Sequence, residues 1–274
     1  MNAPNNTFWY DSQLPFIEAR VVADGRQICF DRHSHETFSI GVITGGQTNY
    51  LNSGRTGQIS RGSVTIMNPG DVHACNPIGG RGWSYRMFYV ETGWFGKIQA
   101  GLSGSGDGTF LYIERMVHDG PALYNGLNAL YAALESPDAT TLSREVAATV
   151  VFAHVYETLG GSLRRVPPDS DRISIAADFI RDNWNVKLGL GDICDASSLS
   201  ASYLIRSFKR RFGLTPYTYL IDYRIQKARR MLRNGATILD AAHETMFFDQ
   251  AHFQRAFKRF TAVNPGQYAA AVSS

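Results

Sequence analysis

Cysteine is scarce in this 274-residue chain, and the three present, Cys29, Cys75 and Cys194, are far apart and form no CxxC pair. A disulfide framework and a sulfur-rich zinc site are both without support, and buried thiols in a reducing cytoplasm are expected. No apolar run approaches the length of a membrane span, and the opening MNAPNNTFWY lacks the charged-then-apolar order of a secretory signal. A soluble, cytoplasmic protein with no membrane partner is therefore expected. Net charge is also small, 27 Lys+Arg against 24 Asp+Glu for a total of +3. That balance hides a segregation: residues 1–171 carry −4 and residues 172–274 carry +7. Local positive charge of this size points to a polyanion, because neutralising phosphates supplies most of the non-specific affinity for nucleic acid.

What is present divides the chain. From Ile17 to about Val90, short β-branched and aromatic segments (RQICF, FSIGVI, SVTIM, YRMFYV) alternate with Gly and Asn clusters. Many short strands at close spacing predict an antiparallel barrel or sandwich. After the SGSGDG loop the period becomes helical: Leu123, Leu127, Leu130 and Leu134 mark one amphipathic helix, and Val146, Val150, Ala153 and Leu159 a second. These two helices suit the core of either neighbour or a dimer face. Gly160 to Ser170, with Pro167 and Pro168, reads as a linker. The division expected is a barrel over 1–108, a helical connector over 109–160, a linker over 161–171 and an all-α domain over 172–274.

The all-α region holds an internal repeat. SYLIRSFKRRFGLTPYTY (Ser202 to Tyr219) aligns with AHFQRAFKRFTAVNPGQY (Ala251 to Tyr268), pairing Arg206 with Arg255, Phe208 with Phe257, Lys209 with Lys258, Arg210 with Arg259 and Pro216 with Pro265. Upstream of each basic helix the copies are offset by 48 residues and downstream by 49, so the second turn is one residue longer. Ser200 and Asp249 are read as N-caps of the two basic helices. Thr215 caps the helix between the copies, with Pro216 at its first position and Gly235 at its end. About eighteen residues at 1.5 Å each give about 27 Å, comparable with the pitch of a DNA turn.

A helix-turn-helix presents the outer face of its second helix to the major groove. In the first copy Tyr203, Leu204 and Phe208 have core character, leaving Ser202, Ile205, Arg206 and Lys209 outside. In the second, Phe253 and Phe257 pack, leaving Gln250, Ala251, Gln254, Arg255 and Lys258. Arg reads guanine, Gln reads adenine, and Ala or Ile meets a thymine methyl. Ser200, Lys209, Arg210, Lys258 and Arg259 are assigned to phosphates.

The segment ILDAAHETMFFDQAHFQRAFKRFTAVNPGQY resembles the C-terminal signature of AraC/XylS-type transcription regulators, whose two helix-turn-helix motifs are joined by a long helix. The resemblance covers about Ile173 to Tyr268. It implies binding to double-stranded promoter DNA, with base contacts at Ser202, Ile205 and Arg206 and at Gln250, Ala251, His252 and Arg255. RNA polymerase is a further expected partner, and the apolar stripes within residues 121–159 are the ground for expecting a second copy of the chain. Two departures stand out: Met246 and Ala262 occupy turn positions where the family usually has Gly.

DRHSHETFSIGVITGG (Asp31 to Gly46) and MNPGDVHACNP (Met67 to Pro77) resemble the two motifs of the cupin-type sensor barrel that many such regulators carry. His33, His35, Glu36 and His73 are accordingly expected to line or rim an effector pocket, with Tyr85 and Arg86, alongside Trp83 and Tyr89, as further candidates. The three His could jointly hold a metal, but metal-binding cupins commonly add a carboxylate five residues after the second His, and that position is Ile40. The expectation is therefore no cofactor, and a non-enzymatic regulator under a small-molecule effector. A metal-dependent cupin enzyme fused to a DNA-binding domain is the alternative, and an architectural DNA binder without effector a third reading.

Overall fold

A computed structural model describes residues 6–104, 107–160, 163–164 and 171–272. Seven strands precede the first helix: β1 (Asn6–Tyr10), β2 (Ile17–Val22), β3 (Phe38–Asn52), β4 (Arg55–Ser60), β5 (Val64–Met67), β6 (His73–Pro77) and β7 (Trp83–Val90). With the later β9 (Val117–His118) they form one antiparallel eight-stranded sheet in the order β1-β2-β7-β3-β5-β9, with β4 and β6 also paired to β3. The 15-residue β3 is the spine: its first half pairs with β7 and β5 and its second half with β4 and β6. The sheet turns at a bulge between Ile43 and Gly45. Gly46 sits there at φ +67, and a Cβ would lie 2.0 Å from the Gly82 carbonyl oxygen, so only glycine lets the two backbones approach.

RQICF is not a strand. The Asn76 side chain accepts from Phe30 N at 2.7 Å and donates to Phe30 O at 3.1 Å, taking the backbone groups a ladder would have used. Cys29 is exposed, contrary to the buried thiol expected. β1, before the region read as strands, adds an edge.

Helices α1 (Thr92–Ser103), α2 (Pro121–Glu135) and α3 (Thr141–Leu159) cover one face of the sheet, with the short β8 (Tyr112–Ile113) between α1 and β9, and β10 (Leu163–Arg164) pairing with β8. The leucine stripe of α2 is buried with Phe38, Phe88, Phe95 and Phe152, which makes these helices part of the barrel's own core. The α3 stripe divides: Leu159 joins that core with Ala148, Phe152 and Val155, whereas Val146 and Val150 are exposed. The expected linker falls largely on residues 161–162 and 165–170, outside the described residues.

The remainder is helical: α4 (Arg172–Asp182), α5 (Leu190–Ser197), α6 (Ala201–Phe212), α7 (Pro216–Arg233), α8 (Ile238–Glu244), α9 (Gln250–Thr261) and α10 (Pro265–Val272). Two small cores form, one around Phe208 and Leu204 and one around Phe253 and Phe257, and α7 contributes to both.

Candidate nucleic-acid interface and its hold on the barrel

Helices α5 and α6 form one helix-turn-helix, α8 and α9 the other, and the 18-residue α7 joins them. Thr215 and Asp249 cap as expected, accepting from Thr218 N and His252 N. Ser200 occupies the N-cap of α6 without a side-chain capping bond, leaving its hydroxyl for another partner. Met246 and Ala262 adopt the left-handed conformation, φ 60 and 57. Ser198, the counterpart of Met246, does too, at φ 53. The first turn is thus no more regular than the second, and the copies differ in conformational cost only at Gly213 against Ala262.

Leu204 and Phe208 on α6 and Phe253 and Phe257 on α9 are buried, while Ser202, Ile205, Arg206, Lys209, Gln250, Ala251, Gln254, Arg255 and Lys258 are exposed. Tyr203 is a correction: it is 49% exposed, on the outer face. Arg206 donates to Ser202 O at 3.2 Å, which folds its guanidinium along α6. His252 is half-buried, its ring 5.1 Å from that of Phe247. Arg259 is exposed but pairs with Asp31 of the barrel at 2.5 Å, so a residue assigned to phosphate is held by an acid in this conformation. The extra residue of the second turn is Phe248, 95% exposed beside α9.

Sequence reasoning left the inward face of α7 unassigned, although it holds the molecule together. Arg224 donates to Trp184 O and Val186 O, both at 2.8 Å, and to Met246 O at 3.4 Å, which ties the first unit to the turn of the second. Further along, Arg229 pairs with Glu18 at 2.7 Å, Arg233 approaches the same carboxylate at 3.5 Å, and the Tyr268 hydroxyl donates to it at 2.8 Å. Glu18 is only 2% exposed. Burial works against the Arg229 charge, but the Glu18 carboxylate and the Tyr268 and Tyr89 phenols more than offset it, and the pKa is raised. Asp222 accepts from both the backbone N and the hydroxyl of Ser34, at 3.0 and 2.7 Å. Burial pushes Asp222 up to about 7, against the opposing bonds from Ser34 and Gln226. Arg20 donates to Thr261 O at 2.9 Å, and Val72 enters the core of the first unit.

The pocket residues separate. His33, His35, His73, Tyr85 and Arg86 border a cavity of about 30 Å³ in the barrel, room for about one water molecule. Trp83, Tyr85, Met87 and Tyr89 form the inward alternate of β7. The Arg86 guanidinium points to α2 instead, donating to Asn128 and lying 4.9 Å over the Tyr131 ring. Glu36 is not with the histidines. It pairs with Lys227 at 2.8 Å and Arg230 at 3.4 Å on α7. Its neighbours face alternately: His33 and His35 turn into the barrel, Ser34 and Glu36 toward α7. Burial first, then the charge of His73, holds His33 and His35 well below the ordinary histidine value, and burial lowers His73, so all three rings are neutral near pH 7.

A second space, a cleft of about 1080 Å³, lies between barrel and first unit, with Arg32 and Arg55 on one side and Arg181, Lys209 and Arg210 on the other. Among the described residues no helix is long and apolar enough to cross a membrane.

Comparison with known proteins places this geometry. Residues 17–150 match the AraC-like ligand binding domain and residues 193–271 a helix-turn-helix domain. The chain is 30% identical over 229 residues to the uncharacterized HTH-type transcriptional regulator YbfI of Bacillus subtilis, covering 81% of each. It is 25% identical over 260 residues to the transcriptional activator RhaS of Escherichia coli, covering 90% of each. An apo single-substitution variant of ToxT of Vibrio cholerae shares the two-domain fold at a TM-score of 0.61 and 15% identity, over 96% of this chain and 99% of that one. ToxT bound to an unsaturated fatty acid gives 0.58 and 14%, over 97% and 93%. A ligand-binding barrel carrying paired helix-turn-helix units makes the chain a transcription regulator, and it belongs to the AraC family.

Proposed function

We propose that α6 and α9 read successive major grooves of promoter DNA, and that a small-molecule effector sets how firmly the barrel holds α7. The observation that carries this is the pair of exposed arginines, Arg206 and Arg255, at the same point of two units whose spacing α7 fixes. Ser202, Ile205 and Arg206, with Gln250, Ala251, His252 and Arg255, meet base edges. Ser200, Lys209, Arg210, Lys258 and Arg259 meet phosphates, the last once Asp31 releases it. RNA polymerase is the partner met on the promoter, in the cytoplasm, and the protein works as a binder, not an enzyme.

The barrel cavity is too small for a metabolite as it stands, whereas the cleft has the volume, and its arginines favour an anion. A carboxylate such as the fatty acid bound by ToxT fits that chemistry. Leu142, Val146 and Val150, 69%, 52% and 62% exposed and four residues apart, support α3 as the face for a second copy of the chain. Fluorescence anisotropy with a labelled duplex selected from a random library tests the reading. Binding should weaken steeply with salt and shift with an anionic ligand that also raises the melting temperature. Salt-independent binding, or none, would defeat it.

A further inference from the structure

One aromatic side chain stands free of the protein beside α9. Phe248 is 95% exposed, well beyond the next large apolar side chain among the described residues, Leu142 at 69%. Its direction is fixed by its neighbours. Phe247 is buried, its ring 5.1 Å from that of His252 and 5.2 Å from that of Phe253. Asp249 is committed to capping α9, accepting from His252 N at 2.6 Å. Upstream, Met246 N and Phe247 N donate to the carbonyls of His243 and Ala242 at 2.9 and 3.1 Å, and Arg224 donates to Met246 O at 3.4 Å. With both flanks tied down, the backbone holds the Phe248 ring outward, and little backbone freedom remains to be lost when something covers it.

The repeat sets the same residue apart. Ser198 and Leu199 of the first turn correspond to Met246 and Phe247, and Ser200 to Asp249, so Phe248 has no counterpart in the first unit. Both turns carry a left-handed residue at the same point, φ 53 at Ser198 and 60 at Met246, so the insertion is not needed to make the turn. Burial does not require it either. What lies next to the ring is the N-terminal end of α9, where Gln250 and Ala251 are exposed. Residues at this end of a recognition helix reach base edges. Gln250 is two residues on, at most about 7 Å along the chain, and base pairs stack about 3.4 Å apart, so the ring falls within about two base pairs of the pair that Gln250 meets. A phenyl ring has no hydrogen bond to offer a base. It does make apolar contact with the C5-methyl group of thymine, which projects into the major groove.

We propose that Phe248 covers a thymine methyl at one edge of the site read by α9, a contact that the first unit lacks and that marks which half-site belongs to α9. The proposal rests on the promoter-binding reading above.

The test uses the full-length chain, the labelled duplex selected for it, and versions in which each thymine of that duplex is replaced in turn by deoxyuridine, which lacks the methyl group. The α9 half is the one whose selection relaxes in Arg255→Ala. In the wild type one replacement at the edge of that half should weaken binding about three- to five-fold, the worth of one buried methyl group. Phe248→Ala should weaken binding to the thymine duplex by at least that factor and treat thymine and deoxyuridine alike at that position, while other positions keep their sensitivity. Phe248→Leu, which keeps an apolar side chain, should recover part of the preference. The salt dependence of Phe248→Ala should match that of the wild type, because no phosphate contact is lost. Its circular dichroism and melting temperature should also match, since the ring is exposed. A Phe248→Ala chain that binds as the wild type does overturns the proposal. So does one that binds more weakly yet keeps every deoxyuridine effect, and so does a selected duplex with no thymine at that edge. Unchanged duplex affinity with loss of transcription from the selected site assigns the ring to a protein partner and overturns it as well. A wild-type chain that binds no duplex refutes the promoter-binding reading, and this contact with it.

Discussion

Glu18→Ala is the sharpest test of how the barrel restrains the DNA-binding half. Glu18 lies on β2, where Ile17 and Ala19 point into the barrel's helix-covered core, Glu18 points at α7 and α10, and Arg20 reaches the end of α9. Its carboxylate takes Arg229, Arg233 and the Tyr268 hydroxyl at 2.7, 3.5 and 2.8 Å in a site 2% exposed. Removing it strands the Arg229 guanidinium in a poorly hydrated interface and leaves Arg233 with Glu91 at 3.8 Å, and breaking a buried pair from one side costs about 3–5 kcal/mol. At 1.4 kcal/mol per tenfold, the docked arrangement loses about two to three and a half powers of ten relative to the separated one.

Separation frees Arg259 from Asp31 and opens the cleft over Lys209 and Arg210, returning cationic side chains to the DNA-facing surface. Glu18→Ala should therefore bind the selected duplex more tightly than wild type without effector. In calorimetry its single melting transition should divide into two. Glu18→Gln, which keeps the acceptor oxygen and loses the charge, should fall between. A variant that melts as wild type does, with unchanged duplex affinity, would refute the claim that this carboxylate holds the domains together.

Other expectations follow from the same contacts. Arg206→Ala and Arg255→Ala should each cost about 1–3 kcal/mol of discrimination between the selected and a scrambled duplex, read from paired anisotropy titrations. Ala262→Gly should stabilise the chain by roughly 0.5–1 kcal/mol in denaturant melts, because Ala262 sits at φ 57, and Gly213→Ala should destabilise by a similar amount. Asp222 has its folded pKa raised to about 7 from 3.8, so its contribution is full at low pH and is lost as pH rises through 7. Wild type should lose about 1.4 kcal/mol between pH 6 and 8 relative to Asp222→Asn in parallel melts. Val146→Glu with Val150→Glu should yield a monomer in sedimentation at concentrations where the wild type self-associates, with the fold intact since both positions are exposed.

What could be read from the sequence was whatever repeats within a short span. The α2 leucines, the Thr215 and Asp249 caps and the outward positions of α6 and α9 each follow from neighbours within a few residues, and the structure agrees with them. Tyr203 escaped because apolar character does not distinguish a core ring from one left on a DNA-facing surface. RQICF escaped because a single amide, Asn76, took the backbone groups of Phe30 from a position 46 residues away. The contacts across the interface were illegible for the same reason: Glu18 meets Tyr268 across 250 residues and Ser34 meets Asp222 across 188. A local trace of them was nevertheless present. Glu18 and Arg20 are charged alternates within an otherwise apolar strand, and Ser34 and Glu36 alternate with the inward His33 and His35. A strand that turns charge to one face while its other face is core must bring that charge to water or to a partner. Here the partner is α7, whose inward face places Asp222, Gln226, Arg229 and Arg233 at helical steps of three and four residues. The two patterns, of period two and of period 3.6, are halves of one interface, and only the fold brings them together.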